Sequence, residues 1–566
     1  MTRWILLAGV VGLAVAAIVW SERRKVDVQA SPTAALYLVA DTERELTRMP
    51  VHFTRMSDAE EIRIGDEIAK EYAGGFNEES EQKSKKEIER YLTEVGGKLS
   101  VHAHRILPYR FHYIPNEMVN AFALPGGHVY VGAGLLAMMD SEDELAAVLG
   151  HEIEHIDHYH CADRAQQEQA LRRIPLGGLV AIPVFVFEAG YTKDQEAEAD
   201  REGTRLAVEA GYSANGAVRM LEAIDRLYQR YQAQKARPAS PQEELSDVAM
   251  QTIEGYFRSH PLPAERVAQI KKMIAAEKWP AHAERDLAVA YIFWTMRAKS
   301  ALEAKKYPEA EQLAARSIRM HADQTDAWEL QARAQFAQAE FVESAGSYHK
   351  LLELEPKKLE YVEAYAMALE AADRQSAAGK FREWLLSAAG EKPRNADVEV
   401  AGLRLLAGDA AAARQYEAAL RGNADGWAPD YLGELGWWYY LAGDYPRAAQ
   451  LLDEAVQQRP NDVKYWVRRA WTQIEIHRYS DAIQTVNTIY VQGLQGERAM
   501  AQGVAFWQAK EADSALTDYE QAVAGEPEWE NPKWVQALYS PLVARSVEEM
   551  KAERERRKKQ RMAERR

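Results

Sequence analysis

A short histidine motif constrains this chain more than any other feature: His151-Glu152-Ile153-Glu154-His155. Residues four apart lie on one face of a helix, so two imidazoles at this spacing can bind a single zinc ion. The glutamate that follows the first histidine can then reach a water molecule on the metal. The alternative interpretation is a solvated helix with two surface histidines.

The residues before the motif predict the helix on which it lies. Ser141 is typical of an N-cap, an acidic first turn follows it, and apolar residues then recur up to Leu149. A zinc hydrolase also needs a third protein ligand and an open fourth position.

That third ligand is predicted in a second acidic helix, over residues 194–203. Glu196 and Asp200 are four residues apart and share a face of this helix, whereas Glu198 points away from it. The pattern indicates that Glu196 is a ligand and that Asp200 orients one of the histidines. We therefore expect one Zn²⁺ per chain, bound by the two motif histidines and Glu196.

Four segments of the chain form a recognisable set: Asn120–Val131, the histidine motif, Glu196-x-x-x-Asp200-x-x-Gly203 and Ser259–Arg266. Together they resemble the membrane-associated gluzincin zinc metallopeptidases, which include HtpX, the CAAX prenyl endopeptidase, the mitochondrial Oma-type protease and BepA-like periplasmic proteases. The resemblance covers residues 57–275 and implies an α+β zinc endopeptidase domain there.

The motif and the resemblance together assign catalytic roles. Glu152 is the expected general base, which takes a proton from water and later gives it to the leaving amine. His260 lies in the loosest of the four matches and has two possible roles. It either occupies the fourth position on zinc and holds the site inactive, or it donates to the oxyanion with Arg266 assisting.

The segment Asn120–Leu124 is predicted to be a strand just before the zinc helix. Peptide bonds are cleaved best when the substrate is held extended, by backbone pairing with a sheet edge. The resemblance favours a substrate-binding role for this strand, and a strand of the core is the alternative. The predicted substrate-binding residues are Asn120, Ala121, Phe122 and Ala123.

Composition narrows the class of protein. The 566 residues are enough for two or three domains, and 47% of them are hydrophobic. A formal charge of −16 argues against a general nucleic-acid binder. The single cysteine, Cys161, cannot form a disulfide within the chain and indicates a packed thiol rather than a nucleophile.

The N terminus contains an uncharged stretch, Trp4–Trp20, of 17 residues. We predict a transmembrane anchor in residues 1–25, followed by a tether over 26–56. A cleavable signal peptide is the alternative, with a cut near Ala30. The flanking charges conflict on orientation, but the resemblance to BepA-like proteins implies a single-pass membrane protein with its bulk in the periplasm.

A second apolar stretch, Ile174–Phe187, is interrupted by Pro175 and Pro183 and is too short to span a membrane. One interpretation is a buried hairpin or loop of the peptidase core. The other is a mobile cover over the zinc cleft, or a patch that dips into lipid.

After Lys278 a pattern of small and large residues recurs about every 34 residues. Small residues of successive units align at Ala310, Ser344, Ala378, Ala412, Ala448, Ala482 and Ala515. This pattern resembles tetratricopeptide (TPR) repeats, in which small residues let paired helices cross closely. We expect an all-α TPR solenoid over residues 285–530, with a concave face that serves as a protein-binding groove.

The remaining residues, 531–566, are predicted to form a basic tail. Between Lys551 and Arg566 there are nine basic and three acidic residues. The tail is either a solvated, frayed helix or a contact for anionic lipid or a partner.

These features predict a mainly α protein with a small β-sheet: a gluzincin-type peptidase domain, a TPR solenoid and an N-terminal transmembrane helix. The expected function is zinc-dependent cleavage of misfolded or unassembled proteins, with partners or substrates recruited by the repeats. The alternative is a TPR chaperone or scaffold in which proteolysis is secondary. The intact Glu152 argues against an inactive zinc domain, and the anchor and repeats argue against a soluble digestive peptidase.

Overall fold

The computed structural model of the chain describes residues 56–73, 82–115, 119–172, 191–235, 263–279, 282–387, 396–406, 408–411, 414–415, 417–418, 428–489 and 493–564. The predicted anchor over 1–25, nearly all of the 26–56 tether, the Ile174–Phe187 segment and His260 lie outside these residues. Among the helices that are described, none is both long enough and apolar enough to cross a membrane.

Two compact units divide the chain, Met1–Val289 and Ala290–Arg566. The first contains a small sheet among helices, and the described part of the second is helical. The predicted combination of a mainly helical chain, one small sheet and helical repeats is therefore confirmed.

The first unit contains three strands and eight helices among its described residues. In chain order they are α1 (Asp58–Ala73), α2 (Gln82–Ser100), β1 (Arg110–Ile114), β2 (Ala121–Leu124), β3 (His128–Gly132), α3 (Ala133–Leu136), α4 (Glu142–Asp157), α5 (His160–Arg172), α6 (Lys193–Glu209), α7 (Asn215–Lys235) and α8 (Pro263–Glu277).

The sheet has the strand order β1-β3-β2. Strand β1 is parallel to β3, and β2 is antiparallel to it. A tight turn joins β2 to β3 through Gly126 and Gly127, whose φ angles are +77° and +102°. A side chain at Gly126 would also lie 2.5 Å from the Cα of Ile62, so this turn requires glycine for both its dihedrals and its packing.

Strand β2 presents one edge to β3 and the other away from it. The amide of Gly132 donates to the carbonyl of Asn120 at 3.0 Å, which makes this pair a hydrogen-bonded one. Because such pairs alternate along an antiparallel ladder, Phe122 also faces β3 with its backbone groups. The backbone N–H and C=O groups of Ala121 and Ala123 therefore point to the opposite edge, which pairs with no strand among the described residues.

The histidine helix α4 begins as the sequence predicts. The Ser141 hydroxyl accepts from the amide of Glu144 at 3.2 Å, and three acidic residues fill the first turn. Helix α6 begins with a capping box, in which Thr192 and Gln195 bond each other's backbone amides. Both helices therefore have well-defined N-termini, which fixes the register of the side chains that follow.

Helices α4 and α6 cross in direct backbone contact. A Cβ atom at Gly150 would lie 2.6 Å from the carbonyl oxygen of Gly203, and one at Gly203 would lie 2.7 Å from the amide nitrogen of His151. No larger residue fits at either position without moving the helices apart. This crossing brings the acidic face of α6 to the histidine face of α4.

The second unit is built from antiparallel helix pairs. They are α9 (Ala290–Glu303), α10 (Tyr307–Met320), α11 (Thr325–Ala337), α12 (Phe341–Leu354), α13 (Leu359–Ala372), α14 (Arg374–Ser387), α15 (Ala396–Leu406), α16 (Ala428–Leu441), α17 (Tyr445–Gln458), α18 (Val463–Glu475), α19 (Tyr479–Asn487), α20 (Gln495–Gln508), α21 (Ala512–Gly525), α22 (Pro532–Leu538) and α23 (Pro541–Glu564). The predicted small positions Ala310, Ser344, Ala448, Ala482 and Ala515 are all fully buried.

The end of the chain differs from the predicted tail. Val535, Val543 and Met550 are buried, so the residues from 531 to 550 belong to the core of the repeat unit. A basic helical extension begins only beyond Met550, and even there Arg554 pairs with Glu530 at 2.6 Å. The buried apolar residues before Met550, and not the basic charge of the last turns, determine where the packed unit ends.

Residues 531–539, a short segment before α23, connect repeats that are far apart in sequence. Asn531 donates to the carbonyl of Gln338 at 3.4 Å, and Arg374 donates to the carbonyl of Ala537 at 2.9 Å. The hydroxyl of Tyr539 donates to Glu497 at 3.1 Å. So short a segment can reach such distant repeats only if the stack curves around it.

Trp529 is deeply packed beside this segment, with 1% of its surface exposed. Its ring lies 4.8 Å from that of Tyr539 and 6.1 Å from that of Trp471, measured between centroids. Its indole nitrogen donates to Glu526 at 3.0 Å. The space inside the curved stack is thus partly filled by the chain's own aromatic residues.

We expect Trp529→Ala to destabilise the repeat unit by about 3–5 kcal/mol, because it leaves a large cavity among packed rings. Chemical unfolding of the full chain, followed by far-UV circular dichroism, measures this loss. Leu386→Ala is the control: Leu386 is 79% exposed, and its loss should change stability by less than about 0.5 kcal/mol. Equal unfolding midpoints for the two variants would contradict the assigned packing.

Candidate metal centre

Three buried side chains converge between α4 and α6: His151, His155 and Glu196. The Nε2 atoms of the two histidines are 3.1 Å apart. Each of them lies 3.6 Å from an oxygen of the Glu196 carboxylate. Among the described residues, this is the one group of histidine, cysteine and acidic side chains with the spacing of a metal site.

These distances suit a zinc ion bound by the two imidazoles and the carboxylate. Zinc bonds of about 2.0–2.1 Å place neighbouring ligand atoms about 3.3 Å apart in a tetrahedron. The imidazole nitrogens are separated by about this distance, and each of them lies within a few tenths of an ångström of it from one Glu196 oxygen, His151 facing Oε2 and His155 facing Oε1. The donor set of two imidazoles and one carboxylate is also one that catalytic zinc uses.

Glu152 occupies the position between the two histidines on α4 and is buried. Glu154 is buried on the other side of the helix, where its Oε2 atom lies 3.2 Å from Nε2 of His158. Burial, reinforced by the charge of Asp157, raises the pKa of Glu154 to about 8. The two glutamates of the motif therefore have different surroundings.

Asp200 contacts His151 at Nδ1, the ring nitrogen that does not face Glu196 and His155. Its Oδ1 atom lies 3.0 Å from Nδ1 of His151. Arg266, from α8, donates to both oxygens of Asp200, at 2.7 Å from Nε and 2.6 Å from Nη2. Burial alone would raise the pKa of Asp200, but the charge and hydrogen bonds of Arg266 outweigh burial and hold this pKa well below its ordinary value.

The second histidine ligand has different neighbours. Nδ1 of His155 lies 3.0 Å from Nδ1 of His160, and Nε2 of His160 lies 3.4 Å from an oxygen of Glu198. The ring of Tyr191 stacks on His155 with a centroid distance of 3.8 Å and an angle of 17°. Burial lowers the pKa of His160 to about 4, so this ring is neutral at neutral pH.

Sequence reasoning missed His160, Glu198 and Tyr191. The density of histidines after the motif, at positions 155, 158 and 160, is the available signal for His160. Glu198 does point away from the face of Glu196 and Asp200, as predicted, but it points towards His160. No sequence signal identifies Tyr191, because it lies beyond a long stretch that separates it from the motif.

Comparison with known protein families identifies the first unit. Residues 82–274 match the profile of Peptidase family M48. This segment is a peptidase family M48 domain. Residues 439–498 match a tetratricopeptide repeat profile, so the expected pairing of these two domain types is confirmed.

Individual relatives agree with the domain assignment. The beta-barrel assembly-enhancing protease of Escherichia coli (strain K12) is 28% identical over 207 residues, which cover 32% of this chain and 38% of the relative. The protein of the same name from Yersinia pestis is 25% identical over 232 residues, or 37% and 43% of the two chains. Mitochondrial metalloendopeptidase OMA1 of Schizosaccharomyces pombe is 33% identical over 129 residues, or 21% and 38%. The chain therefore spans less than half the length of these curated relatives.

Cys161 and Tyr191 link the predicted substrate strand β2 to the metal site of the M48 domain. The carbonyl oxygen of Ala123 accepts from the thiol of Cys161 at 3.6 Å, and that sulfur lies 3.1 Å from the hydroxyl of Tyr191. Cys161 is fully buried, and burial raises the pKa of its thiol, which fits a packed residue rather than a nucleophile.

The backbone direction of β2 divides the predicted substrate residues into two pairs. Asn120 and Phe122 direct their backbone groups towards β3, so they cannot pair with a second strand at the outer edge. The ring of Phe122 instead stacks on Tyr130 at 5.1 Å. Ala121 and Ala123 are the two residues whose backbone groups face outward.

Replacing Glu196 and Glu198 of helix α6 in turn should distinguish a metal ligand from a residue beside the site. We expect Glu196→Ala to weaken zinc binding by well over about 100-fold, because a ligand contributes more than the outer partners that cost roughly 10–100-fold. Glu198→Ala should weaken it by about tenfold at most. Competition with a chromophoric chelator measures both values, and equal effects would show that Glu196 does not bind the metal.

Proposed function

We propose that this chain is a zinc endopeptidase. The observation that supports this most strongly is the buried cluster of His151, His155 and Glu196, with Glu152 between the histidines. Zinc, when bound, lowers the pKa of a coordinated water and polarises a carbonyl group.

Glu152 is the proposed general base. It takes a proton from the attacking water and gives it to the nitrogen of the departing amine, so both steps use the same carboxylate. Its burial keeps bulk water away from this proton transfer. Asp200 holds His151 in the tautomer that leaves Nε2 available to the metal.

Arg266 has a proposed role that differs from the predicted one. Both oxygens of Asp200 accept from its guanidinium, and Nη1 lies 3.8 Å from Glu196. These contacts support a positioning role for Arg266 behind the ligands rather than a bond to the oxyanion. The two roles considered for His260, a blocking ligand or an oxyanion donor, stay predictions.

Substrate binding is proposed at the outer edge of β2. An extended peptide would accept from the amides of Ala121 and Ala123 and donate to the carbonyl of Ala121, which spaces its side chains at alternate positions. The carbonyl of Ala123 already accepts from the Cys161 thiol. Such pairing selects for extended, and therefore unfolded, polypeptide. This selectivity fits substrates that are misfolded or unassembled proteins.

The wider setting is also a proposal. We place the chain in protein quality control, and the relatives named beta-barrel assembly-enhancing proteases support a role in the assembly of β-barrel proteins. We assign recruitment of substrates or partners to the TPR repeats, a single-pass anchor to residues 1–25, and a periplasmic location to the bulk of the chain. The net charge of −16 supports protein rather than nucleic-acid partners.

Glu152→Gln should keep zinc and lose proteolysis, since Glu152 is not a ligand. We expect a fall of at least roughly 10²–10⁴-fold in the cleavage rate of a denatured protein. His151→Ala should lose both zinc and cleavage. Metal content and cleavage are measured on the same samples, and wild-type cleavage by the Gln variant would overturn the assignment of the base.

Ala121→Pro should reduce kcat/KM by roughly three- to tenfold, because it removes one backbone donor from the outer edge of β2. Its ladder with β3 does not use that N–H group, and proline is tolerated at such edge positions. Ala121→Val is the matched control, since it adds bulk and keeps the N–H group. Zinc content should be unchanged in both, and equal kcat/KM values would place the substrate elsewhere.

A further inference from the structure

A histidine that binds a metal through one nitrogen must have its other nitrogen satisfied when it is buried. In neutral imidazole one nitrogen carries a proton and the other is an acceptor. If Nε2 of His155 faces the metal, Nδ1 must carry the proton. His155 is fully buried, so that N–H group needs an acceptor within the protein.

The chain supplies one directly after the zinc helix. Helix α4 ends at Asp157, and Tyr159 adopts a left-handed conformation with φ of 61°. Helix α5 then begins at His160, whose ring returns to within 3.0 Å of Nδ1 of His155. A tyrosine in this conformation costs energy, and its ring is held beneath the guanidinium of Arg105 at 3.8 Å.

One assignment of protons satisfies His155, His160 and Glu198 together. Nδ1 of His155 donates to Nδ1 of His160, which must therefore be an acceptor. The proton of His160 then lies on Nε2, which faces Glu198 Oε2 at 3.4 Å. The reverse direction would place the acceptor nitrogen of His160 opposite a carboxylate, where no proton is available.

We infer that His160, supported by Glu198, is a positioning residue that orients His155 for the metal. This inference rests on the proposed zinc site and adds a residue to it. The two ligands of helix α4 are then held in different ways: His151 by the carboxylate of Asp200, and His155 by the imidazole of His160. Tyr191 complements this by fixing the plane of the His155 ring.

The test compares zinc affinities of full-length variants by competition with a chromophoric chelator. His160→Phe keeps a ring but removes the acceptor, and should raise the zinc Kd by roughly 10–100-fold. His160→Asn returns an acceptor oxygen close to the position of Nδ1, and should restore the Kd to within about threefold of wild type. His158→Phe is the matched control: His158 also lies near Glu198, at 3.6 Å, and should bind zinc within about twofold of wild type.

The outcomes separate this inference from the proposed function. Wild-type affinity in a folded His160→Phe variant, or an equally weak His160→Asn variant, would overturn the inference alone. If His160→Phe does not fold, Glu198→Ala decides, with a rise of roughly three- to tenfold expected and no change contradicting it. Failure of the wild-type chain to bind zinc, or binding by His151→Ala, would instead overturn the zinc site itself.

Discussion

The close crossing of α4 and α6 at Gly150 and Gly203 is the constraint on which the metal centre depends. Each glycine lies so near the other helix that a Cβ atom would meet backbone within 2.7 Å. The histidines come from one helix and Glu196 from the other, so the separation of the ligand atoms is set by the separation of the helix axes. Helices that pack through larger side chains have axes about 8–10 Å apart, and the upper part of that range would leave the carboxylate too far from the imidazoles.

Charge balance explains why the surroundings of the two histidine ligands differ. Glu196 and Asp200 are both buried on one face of α6, and two unpaired carboxylates there would be strongly unfavourable. Arg266 compensates one of them with a bidentate contact and lies 3.8 Å from the other. A neutral histidine beside His155 adds no further charge to this region. The metal centre can therefore hold a divalent cation with one carboxylate ligand and little uncompensated charge.

Local sequence patterns predicted much of the centre but not its outer contacts. The i, i+4 spacings within α4 and α6 identify the shared faces of His151 with His155 and of Glu196 with Asp200, because helix periodicity is a short-range property. Periodicity does not say which faces meet. The contact of Arg266 with Asp200, 66 positions away, and the return of His160 onto His155 depend on crossing and turning of the chain.

The same distinction applies to the repeats. Repeat proteins are usually stabilised by contacts between neighbouring units, and the 34-residue pattern reports only those contacts. Here the segment around Trp529 joins non-neighbouring repeats, through Gln338, Arg374 and Glu497. Because of these links, the opening of one repeat also breaks contacts of distant repeats. The repeat unit should therefore unfold more cooperatively than an open solenoid. They also fill part of the space that an open concave groove would offer, so partners are better sought on the surfaces that this segment leaves exposed.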